Sequence, residues 1–253
     1  MRAAALGFVT LVAIAAAGAP ASAADLAARP YTKAPVMVDP SFNWSGFYIG
    51  GNVGGLWDRS RWTDIFGNTI GLDLTSGSNG SATIGGVHGG FNYQLGQLVL
   101  GIEGDYEATK IRSSFGAAAL CAGFPPGICT TSQDWVASLR GRAGVSFNRL
   151  LVYGTGGVAF TDIGHTTVFP GFVGASVYGT QSRTGWVAGL GAEYAITNNW
   201  IAGVEWKHFD FGSTTVTAAL PATDRMQFRE TDDSVVARLS YKFGWEGPVV
   251  AKY

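Results

Sequence analysis

Leu98–Lys110 reads LVLGIEGDYEATK. Taken with a period of two, one face carries Leu98, Leu100, Ile102, Gly104 and Tyr106. The other carries Val99, Gly101, Glu103, Asp105 and Glu107. Strict alternation among β-formers predicts a strand with two unlike faces. Three carboxylates on one face fit two settings. In a soluble sandwich they point into water. In a membrane barrel the apolar face meets lipid and the carboxylates crowd the lumen.

The rest of the chain favours the second setting. Charged residues are 14% of the sequence, against about 25% in an ordinary soluble domain. The low charge is not disorder, because 47% of residues are hydrophobic. Glycine, at 37 of 253 residues, has about twice its usual share. A formal net charge of −1 excludes a strongly basic nucleic-acid surface.

Residues 1–23 read as a signal peptide: Arg2, an apolar core over Leu6–Ala17, and Ala21-Ser22-Ala23 as an A-x-A cleavage site. The apolar core is too short to span a bilayer, and no other long apolar run follows. A membrane form must then be a closed barrel, which satisfies every backbone group without a helix.

Residues 24–43 hold Pro30, Pro35 and Pro40 and read as an extended periplasmic arm. Eight alternating segments follow, at 44–57, 81–93, 98–109, 134–147, 150–160, 184–196, 200–211 and 231–243. Each is long enough to cross a bilayer at a tilt, which takes about 9–11 residues. The connections are 58–80, 94–97, 110–133, 148–149, 161–183, 197–199 and 212–230, and long alternates with short throughout. Short periplasmic turns and long outer loops explain that alternation. The short ones carry turn residues, as in Asn148-Arg149 and Thr197-Asn198-Asn199. The expected fold is an all-β, eight-stranded antiparallel up-and-down transmembrane barrel over 44–243, with a tail at 244–253 and both termini periplasmic.

Aromatic residues fall at strand ends on the apolar face. Phe47, Tyr93, Phe147, Tyr194, Trp200 and Phe243 lie near the short turns. Trp57, Tyr106, Trp135, Trp186 and Trp206 lie near the long loops. Two such rows are expected as interfacial girdles. The opposite face assigns acids Glu103, Asp105, Glu107, Glu193 and Glu205 and bases Arg140, Arg142, Lys207, Arg238 and Lys242 to the lumen. Side chains fill the interior of an eight-stranded barrel, so these charges are expected to pair. Arg140 and Arg142 should face Glu103, Asp105 or Glu107; register is not readable from the sequence.

Cys121 and Cys129 are the chain's only cysteines, both in the second long loop, and an exported chain with this spacing is expected to form a disulfide. Gly154-Thr-Gly-Gly-Val-Ala159 matches a dinucleotide fingerprint but lacks the following helix, so its glycines are assigned to strand curvature. His88 should face the lumen, His165 lies in the third long loop, and His208 lies near a strand end. They suggest no metal, cofactor or catalytic constellation.

Five stretches resemble one family: Asn43-Trp-Ser-Gly-Phe-Tyr-Ile-Gly-Gly51, Gly90-Phe-Asn-Tyr-Gln94, Leu100-Gly-Ile-Glu-Gly-Asp105, Tyr153-Gly-Thr-Gly-Gly-Val-Ala159 and Ser240-Tyr-Lys-Phe243. The chain resembles the small outer-membrane porin-like surface proteins of alphaproteobacteria, relatives of the OmpA transmembrane barrel. That resemblance implies the outer membrane of a Gram-negative bacterium and a role in envelope integrity and surface contact. Expected partners are outer-membrane lipid and lipopolysaccharide, the barrel assembly machinery, and peptidoglycan or a host surface, with no nucleic acid. Such barrels usually end at the last strand's aromatic, here Phe243, whereas this chain continues to Tyr253. The expected function is structural and non-enzymatic; a small-solute porin and an outer-rim hydrolase are the alternatives.

Overall fold

The computed structural model describes residues 42–64, 75–116, 128–168, 175–217 and 225–244. The signal peptide, most of the arm and all but the start of the tail lie outside the described residues. Among those described, eight strands form: β1 (Gly46–Asp64), β2 (Thr75–Leu95), β3 (Leu98–Gly116), β4 (Ile128–Phe147), β5 (Leu150–Val168), β6 (Ala175–Ala195), β7 (Trp200–Thr217) and β8 (Arg225–Lys242). They close into one antiparallel barrel in which each strand pairs with its sequence neighbours and β1 pairs with β8. Closure pairs each strand on both sides over its short-turn part, while the β2–β3 ladder ends at Ile84–Thr109 and the β6–β7 ladder at Trp186–Asp210.

The strands start and stop at the short turns close to where alternation places them. At the other end they run well past the expected boundaries: β1 reaches Asp64 and β8 begins at Arg225. On β1 and β8 the alternation continues unbroken through these extensions, with inward Asp58, Ser60 and Trp62 on β1 and Met226, Phe228 and Glu230 on β8; on several other strands bulges interrupt it. Register shifts occur at Ala108/Ile111, Gln133/Val136, His165/Thr166 and Asp210/Ser213. All lie toward the long connections. On β4 the bulge at Asp134-Trp135 moves the inward phase from Gln133 to Val136. On β7, Gly212 takes φ +70° and carries the same kind of shift. An alternation rule read across such a site loses its phase.

Most of the aromatic residues in the two rows point outward. Phe47, Tyr93, Phe147, Tyr194, Trp200 and Phe243 are exposed at the short-turn end, and Trp57, Tyr106, Trp186 and Trp206 in the second row. Trp135 is half-buried and stacks on Tyr106, with centroids 5.9 Å apart. Between the rows the surface is aliphatic, with Ile49, Val53, Ile102, Leu139, Leu190, Val204 and Leu239 exposed. Leaving so many large apolar side chains outward is stable only against an apolar medium.

The barrel interior as candidate functional site

The interior is built in layers. At the short-turn end, Phe42 and Trp44 turn under the barrel and pack with Val99, Leu151, Tyr153, Ala195 and Ile201. Trp44 is fully buried; its backbone N–H donates to Gln94 Oε1 at 2.7 Å, and its Nε1 to the Asn148 carbonyl at 3.2 Å.

Above this sits the charged layer. Alternation on β3, β4, β6, β7 and β8 aims its members inward. Arg140, directly opposite Glu103 in the ladder, donates to Glu103 at 2.5 Å, Asp105 at 2.6 Å and Glu205 at 2.8 Å. Arg142 meets Glu193 at 2.9 Å and Glu103 at 3.2 Å. Arg238 meets Glu205 at 2.6 Å and also binds Glu103 and Glu193. Lys207 donates to Glu107 at 2.7 Å and lies 3.8 Å from Asp105. Arg140 therefore reaches two of its three candidate partners on β3, while Glu107 goes to the lysine.

Lys242 departs from expectation. It is not part of this network among the described residues. Its Nζ instead donates to the backbone carbonyl of Asn43 and lies 4.7 Å from the centre of the Phe42 ring. Its strand position puts it at the barrel mouth, below the carboxylates, where the returning chain is the nearest acceptor.

Alternation counting also omitted neutral members of the network. Tyr48 donates to Glu103 at 2.7 Å and accepts from Arg142 at 2.7 Å. Tyr153 donates to Glu205 at 3.2 Å, and its ring lies 3.9 Å from the Arg142 guanidinium carbon. Asn52 donates to Glu107 and Ser138 to Asp105. His88 faces the lumen, with Nε2 2.7 Å from Ser240 Oγ. Tyr48, Tyr153 and Asn52 carry no charge, so charge patterning passes over them, whereas parity places His88 in the lumen from the sequence.

Toward the long connections the inward positions turn apolar. Leu56, Ile84, Ile111, Val136, Ala159, Ile163, Val187, Phe209, Phe211 and Val236 form a buried apolar cluster inside the barrel. Beyond the second aromatic row comes a further polar layer. Ser60 Oγ donates to Glu230 at 2.7 Å, and Gln133 donates to Asp232 at 3.0 Å. His165, expected in a loop, lies on β5 and stacks on Phe228 at 4.0 Å. Glu230 is three positions past the Trp57–Asp233 pair, outside the lipid-facing band. Burial there, with Asp232 adding repulsion, raises its carboxyl from 4.5 to about 8, although the Ser60 hydrogen bond opposes this. Burial, assisted by Arg183, lowers His165 to about 3. His165 is therefore neutral, and its 3.7 Å approach to Glu230 is not an ion pair. Trp62, Cys129, Val216, Met226 and Phe228 close this end.

Cys129 is disulfide-bonded and buried; Cys121 lies outside the described residues. His208 lies outside the lumen. It contacts Asp233 at 2.9 Å with Trp186 and Trp206 nearby, which holds an imidazole at the girdle rather than over a cleft. No group that could hold a metal occurs among the described residues.

A family model described as outer membrane protein beta-barrel domain matches residues 9–243. The 31 kDa outer-membrane immunogenic protein of Brucella melitensis is 34% identical over 194 residues, 72% of this chain and 75% of that protein. The 22 kDa outer membrane protein of Rhizobium leguminosarum is 29% identical over 184 residues, 70% and 68% of the two chains. The crystal structure of the outer membrane protein OprG from Pseudomonas aeruginosa superposes with a TM-score of 0.51 at 14% identity, over 79% of this chain and 97% of that one. The last likeness concerns the fold alone.

Proposed function

This chain belongs to the outer membrane protein beta-barrel domain family and resides in the outer membrane, and on that premise we propose that it is a sealed structural barrel whose long connections face outward and support surface contact. One observation carries the reading: two unlike layers fill the lumen in series. The Arg140, Arg142 and Arg238 network occupies one level, and the apolar cluster around Leu56, Phe209 and Val236 occupies the next. An ion crossing the first would displace paired charges, and crossing the second would strip its own hydration. A porin needs a continuous aqueous path.

The names of the relatives, outer-membrane immunogenic proteins, agree with surface exposure and name no reaction. Planar-bilayer recording tests the seal. Purified protein should give no steady conductance above background. A continuous open-channel current of uniform size would replace this reading with the small-solute porin.

A further inference from the structure

Arg61 on β1 and Arg229 on β8 are direct cross-strand partners, and both point outward into solvent. Like charges placed opposite each other on one face repel, and no acid occupies their row. The row below is different. Arg59 lies 3.5 Å from Asp233, and Arg229 also reaches down to Asp210 at 3.1 Å. Arg61 has no carboxylate partner among the described residues.

Apart from Arg59, the residues bordering the pair are uncharged, and most can hydrogen-bond. On one side of the arginine pair a recess of about 210 Å³ is bordered by Arg59, Gly77, Asn79 and Thr231. On the other, a recess of about 340 Å³ is bordered by Thr63, Ser213 and Gln227. Gly77, paired with Arg61, has no side chain to cover it.

The height of the pair identifies the occupant. Arg59 is two residues and Arg61 four residues beyond Trp57 in the outer girdle. For a strand rising ~3.3 Å per residue at ~40° tilt, that places Arg61 roughly 10 Å beyond the aromatic row. This is the level of headgroups, not of acyl chains or open water. Guanidinium groups bind phosphate oxygens through paired hydrogen bonds, while amides and hydroxyls suit sugar hydroxyls.

We infer that Arg61 and Arg229, with Arg59 beneath them, form a binding site for the phosphorylated sugar headgroup of an outer-leaflet glycolipid. The phosphate separates the two guanidinium charges, and the flanking recesses take the sugars. The site would hold the barrel's β8–β1 seam to the surrounding leaflet. This inference rests on the outward orientation proposed above.

Refolded protein in detergent is titrated with rough-type lipopolysaccharide, the same lipid after phosphatase treatment, inorganic phosphate, and phosphatidylglycerol vesicles. The double variant Arg61→Gln/Arg229→Gln should bind intact lipopolysaccharide about tenfold or more weaker than wild type, as should wild type with the dephosphorylated lipid. Arg112→Gln, an exposed arginine on β3 paired with Asp134, should bind as wild type does. Without lipid the double variant should melt close to wild type, because the repulsion removed offsets the exposed Arg229–Asp210 pair lost with it. Unchanged binding by the double variant overturns the site. So does an equal loss in Arg112→Gln, or equal affinity for the dephosphorylated lipid. Competition by inorganic phosphate alone, or equal binding to phosphatidylglycerol, overturns the glycolipid assignment. The detergent assay does not depend on orientation. Orientation is read separately from Gln227→Cys, an outward position on β8, labelled on intact cells with an impermeant maleimide. Absence of labelling would overturn the outward reading and leave the binding result standing by itself.

Discussion

At Arg140 one guanidinium meets three carboxylates, with side chains at most 2% exposed. Removing one member of such a set strands the others without water. In a dry site that costs about 3–5 kcal/mol. Arg140→Ala and Glu103→Ala should each lower the unfolding temperature. The double mutant should lose less than the two single losses added together, because the second change removes a charge already stranded. Strict additivity in the cycle would mean that the contact carries no energy. Glu230 gives a second prediction at this scale. The folded chain holds its proton more tightly than the unfolded chain, so stability falls as pH rises from about 4.5 toward 8. Asp58, Asp232, His165 and Arg183 surround it, and only Arg183 supplies an opposing charge. Glu230→Gln mimics the protonated form. Thermal unfolding of the variant should match wild type near pH 5 and lie above it near pH 9; a variant less stable at pH 9 would contradict the assignment.

At the scale of the strand, glycine makes room for lumen aromatics. Tyr153 lies directly across from Gly191 in the β5–β6 ladder. A Cβ on Gly191 would sit 2.4 Å from the Tyr153 ring and hydroxyl. Tyr48 covers Gly90 in the same way, with its hydroxyl 2.5 Å from the added carbon. Aromatic cover over a strand glycine pins register. Both tyrosines then spend their hydroxyls on carboxylates of the charged layer. Gly191→Val should push Tyr153 off Glu205 and cost about 1–3 kcal/mol by overpacking. Denaturant unfolding in detergent reads this, and a neutral result would mean that the tyrosine moves freely.

At the scale of the molecule, all four described bulges gather toward the long connections, beyond or at the outer aromatic row. There the barrel no longer has to present an unbroken apolar face to lipid, so extra residues and turned side chains are tolerated. Topology follows from the same asymmetry. Epitope tags inserted at 117–127 or 218–224 should be detected on intact cells. Tags at 148–149 or 197–199 should be detected only after the outer membrane is opened. Detection of a short-turn tag on intact cells would reverse the proposed orientation.

Strand direction, face and membrane-facing band were legible locally. A residue's side of a strand depends only on the parity of its position, so Glu103, Arg140, Arg142 and Arg238 could be assigned inward without any partner being known. The girdle residues were legible for the same reason. Partners were not. Arg140 reaching Glu205 across the barrel, or Lys242 turning to the Asn43 carbonyl, depends on how the ladders stagger when the sheet closes. That stagger belongs to all eight strands together. Parity itself runs unbroken along β8 through Asp232 to Glu230 and along β5 to His165; Glu230 and His165 were hidden because their strands extend past the expected segments, and Asp232 was passed over near the end of its own. The apolar layer at Leu56, Ile84, Phe209 and Val236 shows the same limit. Each residue is an ordinary inward alternant on its own strand, and only closure brings them together into one buried cluster.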